Sequence, residues 1–262
     1  MINQTFRQLE GMRLISMKDE FQRQIELPVM NSLPFDERFG LIVDAEWRNR
    51  HNEKMKRLIK AAKLRCPSAS LEDIDYEGSR GLDRALIARL SDMNWLTEGR
   101  NLFITGASGV GKTWIASAFG QAACRLGKRV ATYRMSRLLD ELRSARVNGT
   151  WGKLLDALQK PELLILDDFG IDSLNATHSR DILEIIEDRQ GAGSIIITAQ
   201  LPVAQWHGVF EDATVADAAL DRIVHKSYRI ELRGPSRRRS AFDKESDSVG
   251  GIANKTNMME AK

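Results

Sequence analysis

The sequence predicts an α/β protein: a parallel five-stranded sheet flanked by helices, preceded by a small all-helical segment. Three observations predict it. Short apolar runs rich in Ile, Leu and Val alternate with helical stretches from residue 102 onward, the pattern of strand–helix crossovers. The first run, Leu102-Phe103-Ile104-Thr105, leads directly into a glycine-rich loop and a helix. Before residue 67 the apolar residues recur at helical spacing instead.

Taken in order, residues 1–66 read as helical. Leu9, Met12, Met17, Phe21 and Ile25 recur every three to five positions, and Pro28 and Pro34 mark a turn around Asn31-Ser32-Leu33. A longer helix spans roughly 35–64, with an apolar stripe of Phe39, Ile42, Val43, Trp47, Met55, Leu58 and Ile59. Cys66-Pro67-Ser68-Ala69-Ser70 is the expected hinge. A helix near 83–93 precedes the sheet. Strands are expected at 102–105, 129–133, 163–167, 194–198 and 228–232, with helices at 113–126, 136–146, 151–159, 177–190 and 215–225. The expected organisation is a helical domain over 1–66, an α/β domain over 67–242 and a disordered tail over 243–262, where the sequence turns polar and aperiodic.

Composition narrows the classes. The chain has 262 residues and a net charge of +3, with two cysteines (Cys66, Cys124) and four histidines that form no metal-binding motif. No apolar run reaches membrane-spanning length, and the N-terminus lacks a secretory signal pattern, so a cytoplasmic protein without membrane contact is expected. The charge is unevenly placed. Arg48, Arg50, Lys54, Lys56, Arg57, Lys60, Lys63 and Arg65 face a lone Glu53. Arg222, Lys226, Arg229, Arg233, Arg237, Arg238 and Arg239 face only Glu231. Such clusters suit a polyanion, or else a solvated helix face.

The loop Gly106-Ala107-Ser108-Gly109-Val110-Gly111-Lys112-Thr113, followed by Trp114, matches the phosphate-binding pattern Gly, four residues, Gly-Lys-Thr. Its glycines allow successive N–H groups to point inward at phosphate oxygens, and the helix start adds further donors. Lys112 supplies a mobile charge for the outer phosphates, and the Thr113 hydroxyl suits Mg²⁺. ATP with Mg²⁺ is therefore the expected cofactor.

Leu163-Leu164-Ile165-Leu166 ends in Asp167-Asp168, carboxylates at the end of an adjacent strand. Asp167 is expected to orient the metal and Asp168 to polarise the attacking water. Thr198 or Gln200, after the fourth strand, is placed to contact the γ-phosphate or that water. Arg222, before the fifth strand, is a candidate arginine finger for a neighbouring subunit's ATP. Arg134, Arg137, Arg143 and Arg146, around the second strand and following helix, are candidate DNA contacts.

With both motifs in place, the chain resembles the IstB-like ATP-binding helpers of insertion-sequence transposases, related to DnaC and DnaA within the AAA+ ATPases. Stretches carrying the resemblance include Leu71-Glu72-Asp73-Ile74-Asp75-Tyr76, Arg80-Gly81-Leu82-Asp83-Arg84 and Ala216-Asp217-Ala218-Ala219-Leu220-Asp221-Arg222. The resemblance implies an AAA+ core without a full C-terminal lid, ATP-driven homo-oligomerisation into a ring or filament, and largely non-sequence-specific binding of double-stranded DNA. It also implies a partner transposase. It puts Gln200 near the first sensor and aligns Arg238 with a C-terminal sensor arginine, although the run Arg237-Arg238-Arg239 leaves that register open. Asp168 stands where many AAA+ proteins place Glu, and its shorter side chain implies slow hydrolysis, stimulated by assembly and DNA. Three other readings stay open: a DnaC-like helicase loader, a small-molecule kinase, and a module that binds ATP without hydrolysing it.

Overall fold

The structure is a computed structural model and describes residues 2–76 and 80–237. It divides into two compact units, Met1–Leu58 and Ile59–Lys262. That division falls eight residues before the Cys66-Pro67 hinge expected from sequence, because the long third helix continues past it.

The first unit is helical. It holds α1 (Ile2–Gly11), α2 (Ile15–Glu26), a 3-10 turn at Pro28–Ser32 and most of α3 (Phe35–Ala62). Arg13, at φ 59, separates α1 from α2, a break that the apolar spacing does not announce. Phe6 and Phe21 meet edge to face at 5.7 Å and pin the α1–α2 pair. Buried Glu46 of α3 accepts hydrogen bonds from the Ser16 and Met17 amides at 3.1 and 3.4 Å. It thereby satisfies donors at the start of α2 that no intrahelical partner reaches. The apolar stripe expected on α3 is only partly covered: Ile42, Met55 and Leu58 are half-buried, whereas Phe39, Val43 and Trp47 are exposed. A helix of 28 residues outruns the short α1–α2 pair available to cover it.

The second unit is built on five parallel strands: β1 (Asn101–Gly106), β2 (Val130–Arg134), β3 (Leu163–Phe169), β4 (Ser194–Ala199) and β5 (Ser227–Leu232). Their order across the sheet is β2-β3-β4-β1-β5. Each strand lies within two residues of its sequence expectation. The helices are α4 (Arg84–Ser91), α5 (Asn94–Thr97), α6 (Lys112–Arg125), α7 (Met135–Val147), α8 (Trp151–Gln159), α9 (Ala176–Arg189) and α10 (Ala213–Val224). The helix expected over 83–93 is capped by Asp83, whose carboxylate accepts from the Ala85 and Leu86 amides, and it stops at Ser91. Met93, at φ 58, then turns the chain into α5.

Successive strand residues point to opposite faces, and both faces are buried. Phe103, Leu164, Leu166, Ile195 and Ile197 face one core with α7, α9 and α10, centred on Trp206, whose ring lies 4.8 Å from Phe103 and 5.0 Å from Phe169. On the opposite face α6 packs against the sheet. There Gly120 is required: a Cβ at that position would sit 2.6 Å from Leu64 and 2.9 Å from Ile165. At the amino-terminal edge, buried Arg189 donates to the Leu158, Pro161 and Ser194 carbonyls, and burial pushes its pKa down to about 10. Because β1 lies between β4 and β5, its carboxyl end opens at the point where the strand order reverses, the usual ligand position in such sheets.

Candidate nucleotide site

The loop after β1 bends where the sequence supplies glycine. Gly106, Gly109 and Gly111 adopt φ of 144, 83 and 102, outside the comfortable range of other residues. A Cβ on Gly106 would collide with the Leu232 carbonyl oxygen, and one on Gly109 with the Ser236 hydroxyl. The loop is thus a backbone cradle closed from behind by β5 and the segment after it. Buried Val110 anchors it from below, while Ala107 and Ser108 form its exposed rim. Gly111 is the N-cap of α6, so the first amides of that helix face the cradle.

Lys112 Nζ donates to the Gly106 and Ala107 carbonyls, both at 2.8 Å, which holds the ammonium over the loop. Thr113 Oγ1 donates to Asp167 Oδ1 at 2.8 Å, and the Thr198 hydroxyl donates to the same oxygen at 2.6 Å. Asp167 is fully buried, so these hydroxyls replace the water its charge has lost. The β3–β4 register shifts between Leu166 and Phe169, and Asp168 sits at φ 66. That bulge cancels the normal alternation of side chains. Asp167 and Asp168 therefore converge on one guanidinium: Arg65 Nη1 lies 2.9 Å from Asp167 Oδ2 and 3.3 Å from Asp168 Oδ2. Arg134 adds a second ion pair to Asp168 at 3.0 Å, and the Asp168 amide donates to Thr198 Oγ1 at 3.0 Å.

A cavity of about 450 Å³ opens above these groups. Of the residues singled out in the sequence, Ser108, Gly109, Gly111, Lys112, Thr113, Trp114, Asp168 and Gln200 line it. Its chemistry fits a magnesium triphosphate. Inward amides and Lys112 meet phosphate oxygens, and one hydroxyl beside one buried carboxylate is an all-oxygen donor set. Among the described residues no cluster of three His, Cys, Asp or Glu forms a self-sufficient metal cage.

Arg222 is not among these groups. It lies at the amino-terminal end of the sheet, in a separate cavity of about 190 Å³ with Asn101, Arg189 and Lys226. There it pairs with Glu187 at 2.8 Å and donates to the Ala218 carbonyl at 2.7 Å. Within one chain it stands apart from Lys112, at the opposite end of the strands. The candidate DNA arginines also separate. Arg137 and Arg143 are exposed on α7. Arg134 is turned to Asp168, and Arg146 is spent on buried Asp181 while stacking 3.7 Å over the Trp151 ring. The hydrogen bond to Asp181 raises the Arg146 pKa, so this arginine is a structural tie between α7 and α9. Arg238 lies outside the described residues.

The sequence assigns no site role to Arg65, Cys66 or Arg80 and leaves Arg237 as one register of the C-terminal sensor arginine; all four line the cavity. Arg80 is buried and donates to the Asp75 carbonyl at 2.5 Å and the Val110 carbonyl at 3.2 Å. The Arg237 amide donates to the Gly109 carbonyl at 3.0 Å, and its side chain pairs with Asp75. The available signal was local. Asp73, Asp75 and Arg80 belong to separate short motifs, and only folding brings them to the cavity.

With this geometry in view, comparison with known proteins is decisive. The model of the IstB-like ATP binding protein family matches residues 7–244. The chain belongs to that family. Among curated relatives, an insertion-sequence ATP-binding protein of Sinorhizobium fredii is 43% identical over 236 residues, covering 90% of this chain and 96% of the relative. One from Pseudomonas fluorescens is 45% identical over 202 residues, covering 77% and 87%. Among solved structures, the DnaC helicase loader superposes with a TM-score of 0.55 at 22% identity, covering 63% of this chain and 97% of that one. That likeness shows that this IstB-like chain shares its fold with that protein.

Proposed function

We propose that this IstB-like protein is an ATPase that assembles on double-stranded DNA and assists a transposase in choosing or using its target. One observation carries the reading. Lys112, Thr113 and Asp167 gather at one end of the sheet, while Arg222 stands at the other. A subunit arranged this way has half of a catalytic site at each end, so nucleotide placed between neighbours joins them.

In the proposed mechanism, the loop amides and Lys112 hold the phosphates, and Thr113 with Asp167 holds Mg²⁺. Held there, Mg²⁺ would supply positive charge to offset that of the phosphates. Asp168 accepts a proton from the attacking water, and Gln200, on the cavity wall, orients the terminal phosphate or that water. Arg222 of the neighbouring subunit stabilises the charge that develops on the transferred phosphoryl group. Asp168 reaches less far than Glu, and in the single chain two arginines engage it. Slow turnover until assembly follows. An array repeats exposed Arg137 and Arg143 along the duplex and gains affinity by multivalency. Loss of the γ-phosphate contacts after hydrolysis loosens it.

The naming of the curated relatives after insertion sequences favours a transposase as partner. The DnaC-like fold keeps a helicase loader as the second reading. Sedimentation and ATP turnover, each with and without duplex DNA, test the mechanism on the wild type, Lys112→Ala and Arg222→Ala. Both variants should lose turnover, and only Lys112→Ala should lose nucleotide binding. Normal turnover in Arg222→Ala would remove that arginine from the mechanism. Pull-down against transposase and against replicative helicase separates the two partners.

A further inference from the structure

Arg65 follows the end of α3 by three residues and belongs to no motif, yet its guanidinium bridges both carboxylates of the nucleotide site. Asp167 Oδ1 is already taken by the Thr113 and Thr198 hydroxyls, so Arg65 holds the remaining oxygen, Oδ2. Arg134 reaches only Asp168. Arg65 is thus the cation that neutralises the buried acid, and the bulge at Asp167-Asp168 is what lets one guanidinium serve both. Its side chain keeps 41% of its surface exposed, so it can withdraw into solvent without unpacking a core.

We propose that Arg65 is a place-holding cation for the metal site. It fixes Asp167 and Asp168 in their convergent arrangement and competes with Mg²⁺ for them. This rests on the magnesium–nucleotide reading of the same cavity. A divalent ion associated with Asp167 and a guanidinium on Asp167 Oδ2 are like charges at contact distance, so occupancy by one weakens the other. Arg65 is a positioning residue in this role, acting through the two carboxylates. The consequence is a threshold: bare Mg²⁺ binds poorly, and only metal arriving with the phosphates displaces the arginine.

The test uses the full chain, Arg65→Met, which keeps length without charge, and Arg65→Lys, which keeps the charge. Binding of a fluorescent ADP analogue is followed while Mg²⁺ is titrated from an EDTA-treated start. The Mg²⁺ concentration giving half-maximal binding should fall about tenfold in Arg65→Met, the ordinary scale of coupling between two ligands. In Arg65→Lys it should stay near the wild-type value. The melting temperature in EDTA should drop in Arg65→Met, with the loss restored by Mg²⁺ and ADP. An unchanged or higher Mg²⁺ requirement in Arg65→Met overturns the proposal, as does weaker binding at saturating Mg²⁺, which would make Arg65 a phosphate contact. If the wild type binds no nucleotide at all, the nucleotide reading itself falls. A failure confined to Arg65 leaves that reading standing.

Discussion

Replacing Thr198 by Val removes one hydroxyl and almost no volume, yet it strikes the most constrained point of the site. Thr198 is fully buried, donates to Asp167 Oδ1 at 2.6 Å and accepts from the Asp168 amide at 3.0 Å. A hydrogen bond to a charged group contributes about 1.5–3 kcal/mol, and a buried donor left without an acceptor costs about 1–3 kcal/mol. Asp167 retains Thr113 and Arg65, so the low half of each range applies, and the sum is about 3 kcal/mol. For a unit of this size each kcal/mol lowers the melting temperature by about 2–4 °C, which gives a drop of about 6–12 °C. Thr198→Ser keeps the hydroxyl and loses only a methyl, worth about 1 kcal/mol. Thermal unfolding of wild type, Thr198→Val and Thr198→Ser in EDTA measures this without nucleotide. A Val variant no less stable than the Ser variant would refute the claim that Thr198 holds the paired carboxylates.

Other expectations follow from the same contacts. Gly106→Ala places a Cβ against the Leu232 carbonyl in a strained φ region and should cost about 3 kcal/mol or more, read as a large loss of soluble protein or melting temperature. Thiol labelling at pH 8 should modify Cys66 and spare Cys124. Burial pushes the Cys124 thiol up to about 11, so at pH 8 it stays protonated and inert in the native state, while Cys66 lines the cavity and should be protected by nucleotide. Arg146→Ala leaves Asp181 buried without its cation and should destabilise by about 3 kcal/mol. Arg137→Ala, by contrast, should leave stability unchanged and lower the salt dependence of DNA binding by about one unit of slope.

The phosphate loop, the five strands and the helices between them were legible because each is a local pattern. Glycines stand where φ turns positive, apolar runs feed a buried sheet, and Asp83 caps a helix with its own carboxylate. Thr113 and Asp167 could be paired from their motifs, but β3 is not the neighbour of β1 that the sequence predicts: β4 lies between them, and its Thr198 joins the Thr113–Asp167 contact of 2.8 Å. The exposure of Phe39, Val43 and Trp47 was not legible, since periodicity states which face is apolar and not whether anything covers it.

By itself, then, the order of residues determined the sheet, the cradle and the choice of phosphate as the ligand chemistry, since these depend on neighbours along the chain. Tertiary structure alone decided which distant charges complete the site. Arg65 comes from 102 positions before Asp167, and Arg237 comes from the far side of β5. The same packing sends Arg222 to the opposite edge and commits Arg146 to Asp181. A charged side chain carries no periodic signature of its partner, and its role depends on which backbone the fold brings within 3 Å of it.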